Sequence, residues 1–232
     1  MKRQLALPLG FDPDQDFSQF SAGPNLEAVA HLRETASAAG PSTLQLWGPK
    51  GTGKTHLLNA CCALAHARQR STAYLPLALL HVHGPAILEG LEFLDVLALD
   101  DLEQVAGDPQ WETGLFNLFN RVRERQGVWI GSTSLPPQQH DFRLPDLVSR
   151  LSWGITLKLR QLEDQDILNA LSLRARAKGL DLPPAVGRYL LNHARRDFPA
   201  LLGLLDHLDR ASLEAQRKLT IPFVKSQLGE AQ

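Results

Sequence analysis

An α/β fold, with a parallel sheet carrying helices on both faces and a small all-helical domain after it, is the class this sequence predicts. Three observations predict it. Residues 48 to 55, GPKGTGKT, fill every fixed position of the pattern GxxxxGK[ST], with a short apolar strand before them and a helix after. Strand and helix signals then alternate to about residue 134. Beyond about residue 160 the strand signals stop, and helical segments succeed one another between Gly and Pro.

The elements follow in order. STLQLW, residues 42 to 47, is a first strand, and THLLNACCALAHAR, 55 to 68, is a helix whose N-terminus faces the loop. TAYLPLA, 72 to 78, is a second strand, and LEFLDVLALDDLEQV, 91 to 105, contains a third. WETGLFNLFNRVRER, 111 to 125, sets Leu115, Phe116, Leu118, Phe119 and Val122 on one helical side with charge opposite. GVWIGSTS follows as a fourth strand that ends in small polar residues. Strand, helix, strand in this order implies parallel pairing. Helices are expected over 163 to 178, 184 to 193, 197 to 215 and 220 to 228, separated by Gly179, Pro183 with Pro184, Pro199 near a helix start, and Pro222.

Composition narrows the setting. The chain has 232 residues and a net charge of −1, but residues 1 to 149 carry −5 and residues 150 to 232 carry +4. A mildly basic C-terminal part fits contact with an acidic partner or with phosphates, and equally a solvated helix face; a dedicated duplex-DNA binder shows a stronger stripe. No run of 18 apolar residues exists, and MKRQLALPLGFDPD is neither long enough in its apolar part nor suitably ended for a signal peptide. A cytoplasmic protein with no membrane partner is expected. Cys61 and Cys62, neighbours on a helix, are expected to be buried reduced thiols. His81 and His83 alternate without a carboxylate or cysteine at ligand spacing, so they are expected to face solvent or to be satisfied locally.

The chemistry lies around the loop. Gly48, Gly51 and Gly53 allow a tight turn that aims successive N–H groups at phosphate oxygens. Lys54 supplies positive charge for the β and γ phosphates, and Thr55 a hydroxyl for Mg²⁺. With Thr52 inside the loop and His56 opening the helix, these residues form the expected nucleotide-binding set. In LDVLALDDLEQ an apolar run turns abruptly acidic, as when a buried strand delivers carboxylates to the ligand edge of a sheet. Asp100 is expected to hold Mg²⁺, directly or through water. Asp101 stands where related ATPases place an acidic residue that orients the attacking water, although Asp is one methylene shorter than the Glu often found there, which predicts weak or no intrinsic hydrolysis. Ser132, Thr133 and Ser134 close the fourth strand, where one could bond a γ-phosphate or water or simply form a turn. Arg150, alone on a short helix in PDLVSRLSWG, is on residue type no more than a surface ion pair.

Four segments, GPKGTGKTHLLNA, LALDDLEQVAGD, LFNLFNRVRERQGVWIGSTSLPP and LPDLVSRLSWG, resemble the DnaA family of AAA+ ATPases over essentially the whole chain. LRARAKGLDLPPAVGRYLLN and LDRASLEAQRKLTIPFVK are closer still to the short regulatory members that inactivate the initiator. The resemblance implies a P-loop AAA+ parallel-sheet base and a helical lid. In it Gly48 to Thr55 is the Walker A loop, Asp100 with Asp101 is Walker B, and Arg150 is the arginine finger offered in trans to ATP on DnaA. The cofactor it implies is ADP or ATP with Mg²⁺. It also gives QLALPL a meaning, as the motif by which such proteins dock on the DNA polymerase III sliding clamp (the β subunit): the Gln4 amide on polar groups, Leu5, Leu7 and Leu9 in apolar pockets, and Pro8 limiting the entropy lost. Contact with DNA is then indirect, through the clamp. The implied domains are a tail over 1–20, an AAA+ nucleotide-binding domain over 21–160 and a lid over 161–232.

Departures from the family shape the expected function. No helix-turn-helix domain follows the lid, so recognition of origin sequences is not expected. The sensor arginine of the lid falls at Pro199, with Arg195 or Arg196 as substitutes, and the Asp that ends the sensor strand is replaced by Ser134. FSQFSAGPNLEAVAHL resembles the segment lining the adenine pocket, where Phe20 and Asn25 approach the base and Phe17 is a core aromatic. The reading is a regulator that stimulates hydrolysis of DnaA-bound ATP and so prevents over-initiation. The alternative is an autonomous AAA+ ATPase acting as a helicase loader or DNA-remodelling factor. A homo-oligomer and a heterotypic neighbour each satisfy an arginine that works in trans.

Overall fold

The computed structural model describes residues 10–38, 40–193 and 198–229. These fall into two compact units: residues 10–18 with Asn25–Arg160, and Gln19–Pro24 with 161–229.

The first unit is the α/β part. In chain order it runs α1 (Leu26–Ser37), β1 (Ser42–Trp47), α2 (Lys54–Ala67), β2 (Thr72–Pro76), the single turn α3 (Leu77–Leu80), β3 (Val96–Asp100), α4 (Pro109–Glu124), β4 (Val128–Thr133), α5 (Pro145–Leu151) and β5 (Ile155–Lys158). The five strands are all parallel in the order β2-β3-β4-β1-β5. Strands reached through crossovers carry helices on both faces, and here α2 covers one face while α4 covers the other.

Local sequence explains each element. On α2, Leu57, Leu58, Ala60, Cys61, Cys62 and Ala65 are all buried, as befits a helix packed between the sheet and α1. Both cysteines are unpaired, and burial pushes their thiols up, Cys62 to about 12, so neither is a ready nucleophile. At the start of α4 the Asp108 carboxylate accepts from the N–H groups of Gln110 at 2.9 Å and Trp111 at 3.3 Å, and Pro109 supplies the preset first position. Its apolar stripe of Trp111, Leu115, Leu118, Phe119 and Val122 meets β3 and β4, with the Phe119 and Trp129 rings 5.2 Å apart edge to face.

Three details differ from the sequence reading. The second strand ends at Pro76 rather than residue 78, because Leu77 and Leu80 bury themselves by starting a helical turn. A fifth strand, ITLK, pairs with β1 alone and is largely exposed, so it lacks the alternation that marks a half-buried strand. Helix α1 turns Ala28, Leu32, Thr35 and Ala36 inward, small residues that dilute the apolar periodicity.

The second unit is helical: α6 (Asp164–Ala177), α7 (Pro184–His193), α8 (Phe198–Ala215) and α9 (Ile221–Gly229). Its core is built from Ile167, Leu171, Val186, Leu190, Leu201, Leu205, Leu208 and Val224. Among the described residues no helix is long and apolar enough to cross a membrane.

Candidate nucleotide site

The loop between β1 and α2 emerges at the C-terminal edge of the sheet, where ligands of open parallel sheets bind. Gly51 and Gly53 have φ of 84° and 92°, the left-handed region that favours glycine. At Gly48 a Cβ would lie 2.6 Å from the Leu159 carbonyl oxygen, so the chain packs there on bare backbone. The Gly48 N–H donates to the Thr133 carbonyl at 3.2 Å, which fixes the loop to β4. Thr52 is buried and its hydroxyl donates to the Pro49 carbonyl at 2.9 Å. Lys54 is 8% exposed, its ammonium donating to the carbonyls of Gly48 at 2.8 Å and Pro49 at 3.4 Å. A charge held inside its own loop, at the start of a helix whose first N–H groups have no carbonyl behind them, fits a phosphate chain.

Asp100 is the centre of the polar cluster. It is 2% exposed at the end of β3, and three side chains donate to its carboxylate. Thr55 reaches Oδ2 at 2.6 Å, Tyr74 reaches Oδ2 at 2.8 Å, and Ser132 reaches Oδ1. The sequence reading named Thr55 and Asp100 as Mg²⁺ ligands and Ser132 as a candidate for a γ-phosphate, a water or a turn, and it foresaw neither Ser132 nor Tyr74 as a partner of Asp100. Register explains the tyrosine: Tyr74 pairs with Ala98 and Pro76 with Asp100, so Tyr74 and Asp100 point to one face of neighbouring strands. Burial first, then the charge of Asp100, pushes the phenol up, so Tyr74 stays a donor. Thr55 and Asp100 are thus already paired as a hydroxyl and a carboxylate capable of holding Mg²⁺.

Asp101 opens the next turn with φ of 54°, its N–H donating to the Ser132 hydroxyl at 3.1 Å. Burial, then the charges of Asp100 and Glu103, push its carboxyl up to about 6, against the pull of Lys54 and Lys50. Folded Asp101 therefore binds a proton more tightly than unfolded Asp101. Its ionisation disfavours the fold above about pH 6, and that penalty is absent below the ordinary carboxyl range near pH 4. Asp101→Asn is expected to raise the melting temperature of the nucleotide-free protein at about pH 8 and to leave it nearly unchanged at about pH 4. An equal gain at both values, read by thermal unfolding, would contradict this origin.

The other strand-end residues have separate tasks. The Thr133 hydroxyl accepts from Gln45 at 3.4 Å, whereas Ser134 donates its backbone N–H to Glu103 at 2.8 Å. Only Ser134 of the three leaves its hydroxyl outside any hydrogen bond among the described residues.

His56 lies on the first turn of α2, where its Nε2 is hydrogen-bonded to the Asp16 carbonyl at 2.8 Å. Further along the helix, Asn59 accepts from the Asp12 N–H at 2.8 Å, donates to the Thr55 carbonyl at 2.9 Å, and Phe11 meets His66 with ring centroids 5.5 Å apart. Residues 11–16 thus form a strap along α2. Phe17 is buried, with the Arg33 guanidinium 4.9 Å over its ring. Both ends of the Asn25 amide are taken by the Arg160 backbone, at 3.0 Å and 2.8 Å, and Phe20 belongs to the second unit.

Arg150 is set apart from the loop. It is half-buried near the end of α5, where Nε donates to the Asn120 amide oxygen at 3.1 Å and the guanidinium carbon stands 4.9 Å over Trp153 and 5.8 Å over Phe116. Among the described residues it forms no ion pair, so the surface salt bridge that residue type alone suggests is not what holds it. Helix α5 is itself placed by Glu112, a buried carboxylate on α4 that accepts from the N–H groups of Gly107, Arg143 and Leu144. His81 and His83 are exposed. Pro199 is exposed in the first turn of α8, while Arg195, Arg196 and the segment Gln4 to Leu9 lie outside the described residues.

Comparison with known proteins agrees with this geometry. Residues 164–228 match the family "Hda, lid domain". Domain III of the replication initiation protein DnaA from Thermotoga maritima superposes with a TM-score of 0.83 at 21% identity, over 95% of this chain and 98% of that one. AMPPCP-bound DnaA from Aquifex aeolicus gives 0.73 at 23%, over 85% and 66%. The RuvB Holliday junction branch migration motor of T. maritima gives 0.65 at 17%, over 88% and 68%. At these identities the structures speak for the fold, an AAA+ sheet, and the lid speaks for the branch. Residues 164–228 thus match the lid of the Hda family, and the chain as a whole has the AAA+ fold of the DnaA domain.

Proposed function

We propose that this protein is a DnaA-related regulator that binds adenine nucleotide, is tethered to the DNA-loaded sliding clamp, and stimulates hydrolysis of the ATP held by DnaA. The observation that carries the reading is Arg150: a guanidinium fixed through Nε by Asn120 and by aromatic faces, with no carboxylate partner among the described residues. An arginine so held serves a neighbour's phosphates, not its own.

The nucleotide site keeps the active shape. Gly48, Gly51, Thr52, Gly53, Lys54, Thr55 and His56 enclose the phosphates of ADP or ATP, and Thr55 with Asp100 holds Mg²⁺, which neutralises phosphate charge when bound. Asp100 already accepts from Thr55, Tyr74 and Ser132, which fixes the orientation of its carboxylate. Asp101, one methylene shorter than Glu and opening a turn with φ of 54°, makes a weak water-orienting group, so self-hydrolysis is slow. Residues 21–160 are the nucleotide-binding domain, 161–232 the lid, and 1–20 the tail that reaches the clamp.

The discriminating assay is DnaA–ATP hydrolysis with clamp-loaded DNA present and absent. The regulator gives stimulation that requires the clamp and negligible turnover of its own. Strong turnover stimulated by single-stranded DNA without DnaA would instead favour the autonomous motor. For the tether, Gln4→Ala with Leu7→Ala is expected to lower clamp capture at least tenfold, about 1.4 kcal/mol, in a pull-down. Unchanged capture would remove Gln4, Leu5, Leu7, Pro8 and Leu9 from the interface.

A further inference from the structure

Beside Arg150 lies a second guanidinium that the family pattern does not explain. Arg123, exposed in the last turn of α4, stacks its guanidinium carbon 3.7 Å over the ring of Trp153, the same ring that Arg150 approaches at 4.9 Å. Asn120, Arg123, Glu124 and Arg150 line one surface cleft. Trp153 is 43% exposed, a large aromatic left in solvent with an arginine on it. Among the described residues neither Arg123 nor Arg150 is paired with a carboxylate; Glu124 shares the rim but bridges to neither.

Two unpaired guanidinium groups on one aromatic plate make a ready oxyanion site. Stacking holds the planar ion flat and leaves its N–H edge available, so little further ordering is lost when an oxyanion arrives. Gly154 keeps the plate in place: φ is 85°, and a Cβ there would collide with the Thr43 carbonyl oxygen.

We propose that Arg123 is a second oxyanion-binding residue of the Arg150 face, which holds a phosphate or carboxylate of the docked partner while Arg150 serves the reacting phosphoryl group. The proposal rests on the regulatory reading above. Its effect belongs in recognition rather than in the chemical step.

Arg123→Ala is expected to raise the concentration of this protein needed for half-maximal stimulation of DnaA–ATP hydrolysis about tenfold, with the maximal rate within about threefold of the parent. Arg123→Lys should not restore it, because a compact ammonium neither stacks nor forks, whereas Trp153→Phe should retain part of it. Direct binding to DnaA–ATP and DnaA–ADP locates the oxyanion: a loss confined to the ATP form assigns the γ-phosphate, and an equal loss on both assigns an oxyanion common to the two forms. An unchanged half-maximal concentration for Arg123→Ala overturns the proposal. Absence of stimulation by the unmodified protein defeats the regulatory reading instead, so the two failures are distinguishable.

Discussion

Arg150→Ala is expected to lower the proposed stimulation of DnaA-bound ATP hydrolysis by about 10³-fold or more, with nucleotide affinity and clamp capture at parental values. The size follows from what a guanidinium does at a transferring phosphoryl group, where it neutralises charge that grows towards the transition state inside a site from which water is excluded. The separation of effects follows from position. Arg150 is held by Asn120, Trp153 and Phe116, and the hydrogen bonds of Gly48 to Thr55 and of Asp100 run to other residues, so its removal leaves those bonds in place. Arg150→Lys should recover little, since lysine cannot donate Nε–H to Asn120 and point a fork outward together. Single-turnover hydrolysis on DnaA–[γ-³²P]ATP with the clamp present measures it. Parental stimulation by the alanine variant would sink the trans-arginine role.

Glu112→Ala is expected to destabilise the α/β unit by about 4 kcal/mol. The carboxylate is 1% exposed and accepts from Gly107 N–H at 2.6 Å, from Arg143 N–H at 3.0 Å and 2.9 Å, and from Leu144 N–H at 2.6 Å. Each buried N–H left without an acceptor costs about 1–3 kcal/mol. No cation is paired with Glu112 among the described residues, so its contribution comes from these bonds to backbone N–H groups. The melting transition should fall by roughly 8–16 °C, at about 2–4 °C per kcal/mol for a chain of this size. Glu112→Gln should lose roughly half as much, about 2 kcal/mol, because one amide oxygen still accepts while its NH2 opposes N–H donors. A melting temperature within about 2 °C of the parent for the alanine variant would show that these bonds contribute nothing.

Legibility in the sequence follows distance along the chain. The loop residues act through contiguous backbone, so GPKGTGKT announced them, and Asp100 stood out where an apolar strand turned acidic. Tyr74 is different: its partner lies 26 residues away on another strand, and a tyrosine in TAYLP looks like any strand aromatic until register sets it on the face of Asp100. Glu112 likewise looked like the polar side of an amphipathic helix, whereas its acceptors' partners at 143 and 144 lie beyond an entire strand. Strand β5 was hidden for another reason, since an exposed four-residue edge carries no pattern to read.

The strap of residues 11–16 has a mechanical consequence. It meets α2 through Asp16 on His56, Asp12 on Asn59 and Phe11 against His66, and Asn59 in turn holds the carbonyl of Thr55. Tension applied at the N-terminal end of the chain is therefore passed to the helix that follows the phosphate loop.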